Sequence, residues 1–222
     1  MKKALLCSTL LAFASGYAGA QTGPAAASAA AATTPIETKI AACIGCHGIK
    51  GYQASFPEVH KVPMIAGQDA RFIASALNAY KKGDRKHPTM RAIAGTLTDA
   101  DIAAIAAYYQ QQARPAGAAE QPAAPPEGVA ALLAKGACAS CHGANYSKPV
   151  DGTYPKLAGQ HADYLYVALK AYKTDGSAQV GRNNAIMGAQ VKQFSNAELK
   201  ALANYLGSLP SDLATVPQSK FR

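Results

Sequence analysis

The 222-residue chain has no tryptophan, and eleven tyrosines and five phenylalanines are its only aromatic side chains. With so few aromatics and so much alanine, the composition argues against a β-sandwich, whose faces need β-branched and aromatic residues, and favours small, closely packed helices. Nothing reads as a strand pair, so the expected fold class is all-α. Dense basic runs and nucleic-acid-binding motifs are missing. The formal charge of +9 therefore does not point to nucleic acid. Long apolar runs are missing too: Ala4–Ala14 is the longest, and it falls short of the ~20 residues that span a bilayer.

That short run has a different use. Lys2-Lys3 precedes it and Ala18-Gly19-Ala20 follows, a charged start and a small-x-small cleavage site, so residues 1–20 read as a secretory signal peptide and the mature chain begins at Gln21. The expected location is the periplasm. A lipid anchor on Cys7 fits poorly, because Cys7 lies inside the apolar run. Gln21–Arg114 carries +4 and Pro115–Arg222 carries +3, so the charge is spread over both halves. Such a surface suits solubility alone, or steering toward an acidic protein partner or peripheral association with an anionic membrane.

The mature chain repeats. Cys43-Ile44-Gly45-Cys46-His47 matches Cys138-Ala139-Ser140-Cys141-His142, Gly67–Lys81 matches Gly159–Lys173, and Thr98–Tyr108 matches Ser195–Tyr205, at offsets of 95, 92 and 97. The offset drifts only across loops, as tandem duplication predicts. Residues 21–34 read as a flexible leader and 113–128, with four prolines, as a linker. One domain is expected over 35–112 and a second over 129–222. Each has three predicted helices: a short one entering C-x-x-C-H, one over Gln68–Lys81 or Gln160–Lys173, and one opening at Thr98 or Ser195. The second follows helical spacing through Phe72, Ala76, Leu77 and Tyr80, or Tyr164, Ala168, Leu169 and Tyr172. The third opens on a capping box and buries Ile102, Ile105, Ala106 and Tyr109, or Leu199, Leu202, Ala203 and Leu206.

Cysteine use fixes the chemistry. Four of the five cysteines, Cys43, Cys46, Cys138 and Cys141, sit in the two C-x-x-C-H motifs. This is the attachment sequence of c-type haem: two thiols add to neighbouring vinyl groups and the following histidine binds iron. His47 and His142 are then the proximal ligands. A thiol redox pair would need a βαβ setting, and a zinc site would leave the two histidines and the duplication unexplained. Two covalently bound haem c groups are the expected cofactors. Met90 and Met187 occupy matched positions in the loop ahead of the last helix and are the candidate distal ligands, with core filling as the plainer alternative. Met64 has no matched partner, nor do His60, His87 and His161, for which surface or loop roles are expected. Pro63 and Pro155, in matched P-x-[IL]-A-G-Q tracts, offer backbone carbonyls as acceptors for the proximal histidines; a plain turn is the alternative.

On both C-x-x-C-H motifs, both P-x-[IL]-A-G-Q tracts, and Met90 and Met187 before their helices, the whole mature chain resembles the cytochrome c4 family of dihaem class I cytochromes. The resemblance implies two class I cytochrome c domains packed with their haem propionate edges together, each iron held by His and Met. It implies an electron carrier with no catalytic residues, working between the membrane cytochrome bc complex and a terminal oxidase or periplasmic reductase. The alternative is the electron-accepting subunit of a periplasmic dehydrogenase, or a small haem oxidoreductase. The long Pro-rich linker and the nearly equal charge of the two halves depart from that pattern, and the first leaves the domain packing open.

Overall fold

Helices form where apolar spacing and capping residues coincide. The computed structural model describes residues 34–115 and 121–217; the expected signal peptide, the leader up to residue 33, linker residues 116–120 and the last five residues lie outside the described residues. In the first half, α1 (Ile36–His47) runs unbroken through the C-x-x-C-H motif. It is followed by α2 (Ala70–Lys82), α3 (Pro88–Gly95) and α4 (Asp99–Gln110). In the second half come α5 (Glu127–Lys135), α6 (Ala139–His142), α7 (Ala162–Ala171), α8 (Ala185–Lys192) and α9 (Asn196–Ser208).

The entry helix is continuous in one half and divided in the other. Gly136 lies against Cys138 and the Phe194 ring, so a Cβ there would sit 3.1 Å from the sulfur and 3.2 Å from the ring. Ala137 follows with φ +45°, a left-handed conformation that ends α5 before the cysteines.

The last helix of each half starts at its capping box. The Thr98 hydroxyl accepts from the Asp101 N–H and the Asp101 carboxylate accepts from the Thr98 N–H; Ser195 and Glu198 do the same. All eight residues of the two expected stripes are buried. In α2 and α7 the spacing holds but the deepest residues are Ile73 and Leu77, and Leu165, Val167, Ala168 and Ala171. Phe72, Tyr80, Tyr164 and Tyr172 are half-buried instead, each under an arginine.

Two expectations are corrected. The segments carrying Met90 and Met187 are helices, not loops: His87 and Asn184 cap α3 and α8, each accepting from the backbone N–H of the methionine three residues on. Strand pairing also exists, in two-residue pieces. The ladder of β1 (Gln53–Ala54) and β2 (His60–Lys61) lies within the first half. The ladder of β3 (Arg85–Lys86) and β4 (Gly181–Arg182) joins the halves, with Arg85 opposite Arg182. These pairs are too short to leave a period-2 pattern.

The halves pack on each other despite the linker. The Gln160 side chain accepts from the Met64 N–H and donates to the Met64 carbonyl, at 3.0 and 2.8 Å. The Gln68 side chain makes the same two bonds to Lys156, at 3.0 and 2.8 Å. Met64 matches Lys156 and Gln68 matches Gln160, so the contact is reciprocal, as across a two-fold axis. The chain end adds to it: the Ala214 N–H donates to the Ala66 carbonyl, and Ala214 and Val216 pack into the core built by Ile40, Ile73, Ile102 and Ile105. Gly67, at φ +86°, lets this strap approach; a Cβ there would lie 2.8 Å from the Asp212 carbonyl oxygen.

Candidate functional site

Both C-x-x-C-H motifs are presented by helix. Helical winding puts the two cysteines of each motif nearly a turn apart on one side, with the histidine following. Cys43, Cys46, Cys138 and Cys141 form no disulfide, and each is half-buried. Burial pushes the thiols of Cys43 and Cys138 up, and for Cys43 the nearby Tyr109 hydroxyl opposes part of that shift.

The histidines are held alike. His47 Nδ1 lies 2.8 Å from the Pro63 carbonyl oxygen and His142 Nδ1 lies 2.9 Å from that of Pro155. A carbonyl only accepts, so each Nδ1 carries the proton and each Nε2 keeps its lone pair. Burial lowers the pKa of both rings, against the pull of the proline carbonyls. The result is a neutral imidazole, buried for His142 and half-buried for His47, with one oriented donor nitrogen, the state in which histidine binds a metal.

Met90 and Met187 are brought to these sites. Met90 packs against the apolar cluster that Cys43 borders, and Met187 against the one that Cys138 borders. His87, which caps the Met90 helix, is close enough to His47 for its charge to depress the His47 pKa. The remaining candidates fall elsewhere. His60 is buried rather than on the surface; its Nδ1 donates to the Glu58 carbonyl and its ring lies 6.2 Å from that of Tyr164 in the other half. His161 is half-buried beside Asp163, and buried Met64 uses its backbone to bind Gln160.

One feature leaves no trace in the apolar spacing. Arg85 and Arg182 meet at the ladder between the halves. Arg85 lies over Phe72 and Tyr80, at 5.5 and 5.2 Å, and Arg182 over Tyr164 and Tyr172, at 5.6 and 5.3 Å. Neither has a carboxylate partner among the described residues, and Arg85 Nε is buried without an acceptor. Burial raises the pKa of the Tyr164 phenol, but the two guanidiniums outweigh it and the net shift is downward. Such a positive cluster, with neither guanidinium paired to a carboxylate among the described residues, fits an anionic group, and the propionates of a haem are one. Taken with paired thiols and a free Nε2 in each half, the residues present fit two c-type haems. The signal was available: both arginines recur at one offset, 97.

The cytochrome c family model matches residues 18–113 and again 127–210. The chain belongs to the cytochrome c family. It is similar to cytochrome c4 of Azotobacter vinelandii, 30% identical over 190 residues that cover 77% of this chain and 86% of that one. It is also similar to the thiosulfate dehydrogenase electron acceptor of Stutzerimonas stutzeri, 32% identical over 176 residues covering 76% and 79%. Among solved structures, cytochrome c4 of Acidithiobacillus ferrooxidans superposes with a TM-score of 0.60 at 30% identity, covering 77% of this chain and 99% of that one. This cytochrome c4-like chain therefore has two cytochrome c domains and two covalently bound haem c groups. It is an electron carrier rather than an enzyme. Among the described residues no helix is long and apolar enough to cross a membrane.

Proposed function

We propose that this dihaem cytochrome is exported by residues 1–20 to the periplasm and shuttles electrons from the membrane cytochrome bc complex to a terminal oxidase or periplasmic reductase. Cys43 and Cys46 anchor one haem in a domain spanning 35–112, and Cys138 and Cys141 anchor the other in a domain spanning 129–222. His47 and His142 bind iron through Nε2, and Met90 and Met187 close the opposite side. The bound haem supplies the reversible one-electron iron couple. The protein's part is to hold four ligands still, keep water away and set the potential.

The observation that carries this reading is the matched pair of histidine–proline bonds, His47 to Pro63 and His142 to Pro155. They orient both imidazoles before and after a change of iron charge, so little has to reorganise when an electron arrives. The methionine helices are capped at their first turn, which supports a methionine as the resting second ligand. The reciprocal glutamine contacts hold the domains together, so the spacing of the two sites is a property of the fold rather than of the linker.

A second reading has specific support. The similarity to a thiosulfate dehydrogenase electron acceptor extends over three quarters of the chain, which favours a role as acceptor from a periplasmic dehydrogenase. Stopped-flow reduction of the oxidised holoprotein separates the two. Fast reduction by a cytochrome bc complex with quinol, and slow reduction by thiosulfate dehydrogenase with thiosulfate, is the expected result. The reverse order would replace the shuttle with the acceptor.

A further inference from the structure

Each methionine helix is eight residues long, and a helix this short is marginal without support at its ends. The first end is capped by His87 or Asn184. The other end shows a second repeated device. Lys81 Nζ, from the end of α2, donates to the Leu97 carbonyl at 2.7 Å, just past α3. Lys173 Nζ, just past α7, donates to the Phe194 carbonyl at 2.6 Å, just past α8. Lys81 matches Lys173 and Leu97 matches Phe194, so the same bond is made twice. Leu97 and Phe194 directly precede the caps of α4 and α9, so each lysine ties down the turn that leaves the methionine helix, and its cation opposes the negative end of that helix's dipole.

The two ends are not equally well held. Lys81 is an exposed donor, with its side chain 36% accessible and paired loosely with the exposed Asp99 carboxylate, at 3.8 Å. Lys173 is partly buried. The second domain also adds a lysine: Lys135 Nζ donates to the Gln193 carbonyl at 3.1 Å and lies 5.0 Å from the centroid of the Phe194 ring. The residue matching Lys135 in the first domain is Ile40, a core residue that is 1% exposed and donates nothing from its side chain.

We infer that Lys81 and Lys173 are positioning residues that clamp α3 and α8, keeping Met90 and Met187 on their irons, and that the second domain is clamped harder. This rests on the reading of those methionines as ligands. A methionine that leaves its iron admits an external ligand, so the rate at which imidazole binds the oxidised holoprotein reports how often each clamp opens. Wild type should bind imidazole in two phases, the slower belonging to the second domain. Met90→Ala, in which only the second site keeps a methionine, assigns them.

Lys173→Met keeps the aliphatic stem and removes the donor. It should speed the slower phase about tenfold, the size expected for a partly buried charged hydrogen bond. Lys81→Met should speed the faster phase by only about threefold, as an exposed donor allows. Lys173→Arg should restore most of the loss. The urea unfolding midpoint of the holoprotein is measured beside each rate. Acceleration with little change in the midpoint supports positioning. Unchanged rates with the far-red methionine–iron band intact, or acceleration fully matched by lost global stability, would overturn the clamp. A wild-type protein without that band would instead remove the ligand reading, and the clamp with it.

Discussion

At the scale of single residues, the site works by restriction. An imidazole whose Nδ1 proton is committed to a proline carbonyl has one donor nitrogen left and one direction to offer it. On the proposed reading, Met90 and Met187 add a soft, uncharged ligand that favours ferrous iron and raises the potential. Because the two methionines lie on separate helices packed into separate apolar clusters, their effects should be independent. Met90→Ala and Met187→Ala should each remove about half of the far-red methionine–iron absorbance and lower one haem's potential, leaving the other nearly unaltered. Redox titration followed optically checks this. Unchanged potentials in both variants would exclude these residues as ligands.

At the scale of elements, the helices carrying the site were legible wherever a cap and an apolar stripe agreed. Thr98 and Ser195, each followed three residues on by an acid, mark the starts of α4 and α9, and the stripes beneath them are the buried ones. The methionine helices do not stand out in the sequence, because eight residues carry too little periodicity. Their caps were present all the same: His87-Pro88 puts proline at the first helical position, and Asn184 is a common cap residue. Thr98→Ala and Ser195→Ala should each cost about 1 kcal/mol in denaturant unfolding, and the double variant about the sum. The acids give a pH signature. Asp101 is held below its ordinary value by Lys39 and then Thr98, and Glu198 by Ser195. A depressed carboxyl stabilises the fold above its unfolded pKa, and that contribution is lost as pH falls from there through the lower folded pKa. The loss should begin below about pH 4 and be smaller in Asp101→Asn, as unfolding midpoints across pH would show.

At the scale of the whole molecule, the duplicated sequence folds into two domains that exchange hydrogen bonds rather than hang from a linker. The duplication was plain from the offsets, but its use was not. A glutamine side chain bonded to a backbone in the other domain has no local spacing to betray it, and neither has a chain end strapped onto a distant core. What could be read was identity: Gln68 with Gln160 and Arg85 with Arg182 recur at matched positions without belonging to any apolar stripe. Each glutamine satisfies one donor and one acceptor of a backbone with little access to water. Gln68→Ala or Gln160→Ala should therefore cost about 2 kcal/mol. The double variant should split calorimetric unfolding of the holoprotein into two transitions, one per domain. A single sharp transition would show that the ladder and the C-terminal strap hold the domains together without the glutamines.

The central claim is two haem c groups per chain, each held by histidine and methionine. The most direct test is the optical spectrum of protein matured with covalent haem, oxidised and reduced, with haem counted per chain. The account predicts two haems, sharp reduced bands, and a far-red methionine–iron band of two-site intensity in the oxidised form. One haem per chain, or two without that band, would contradict it.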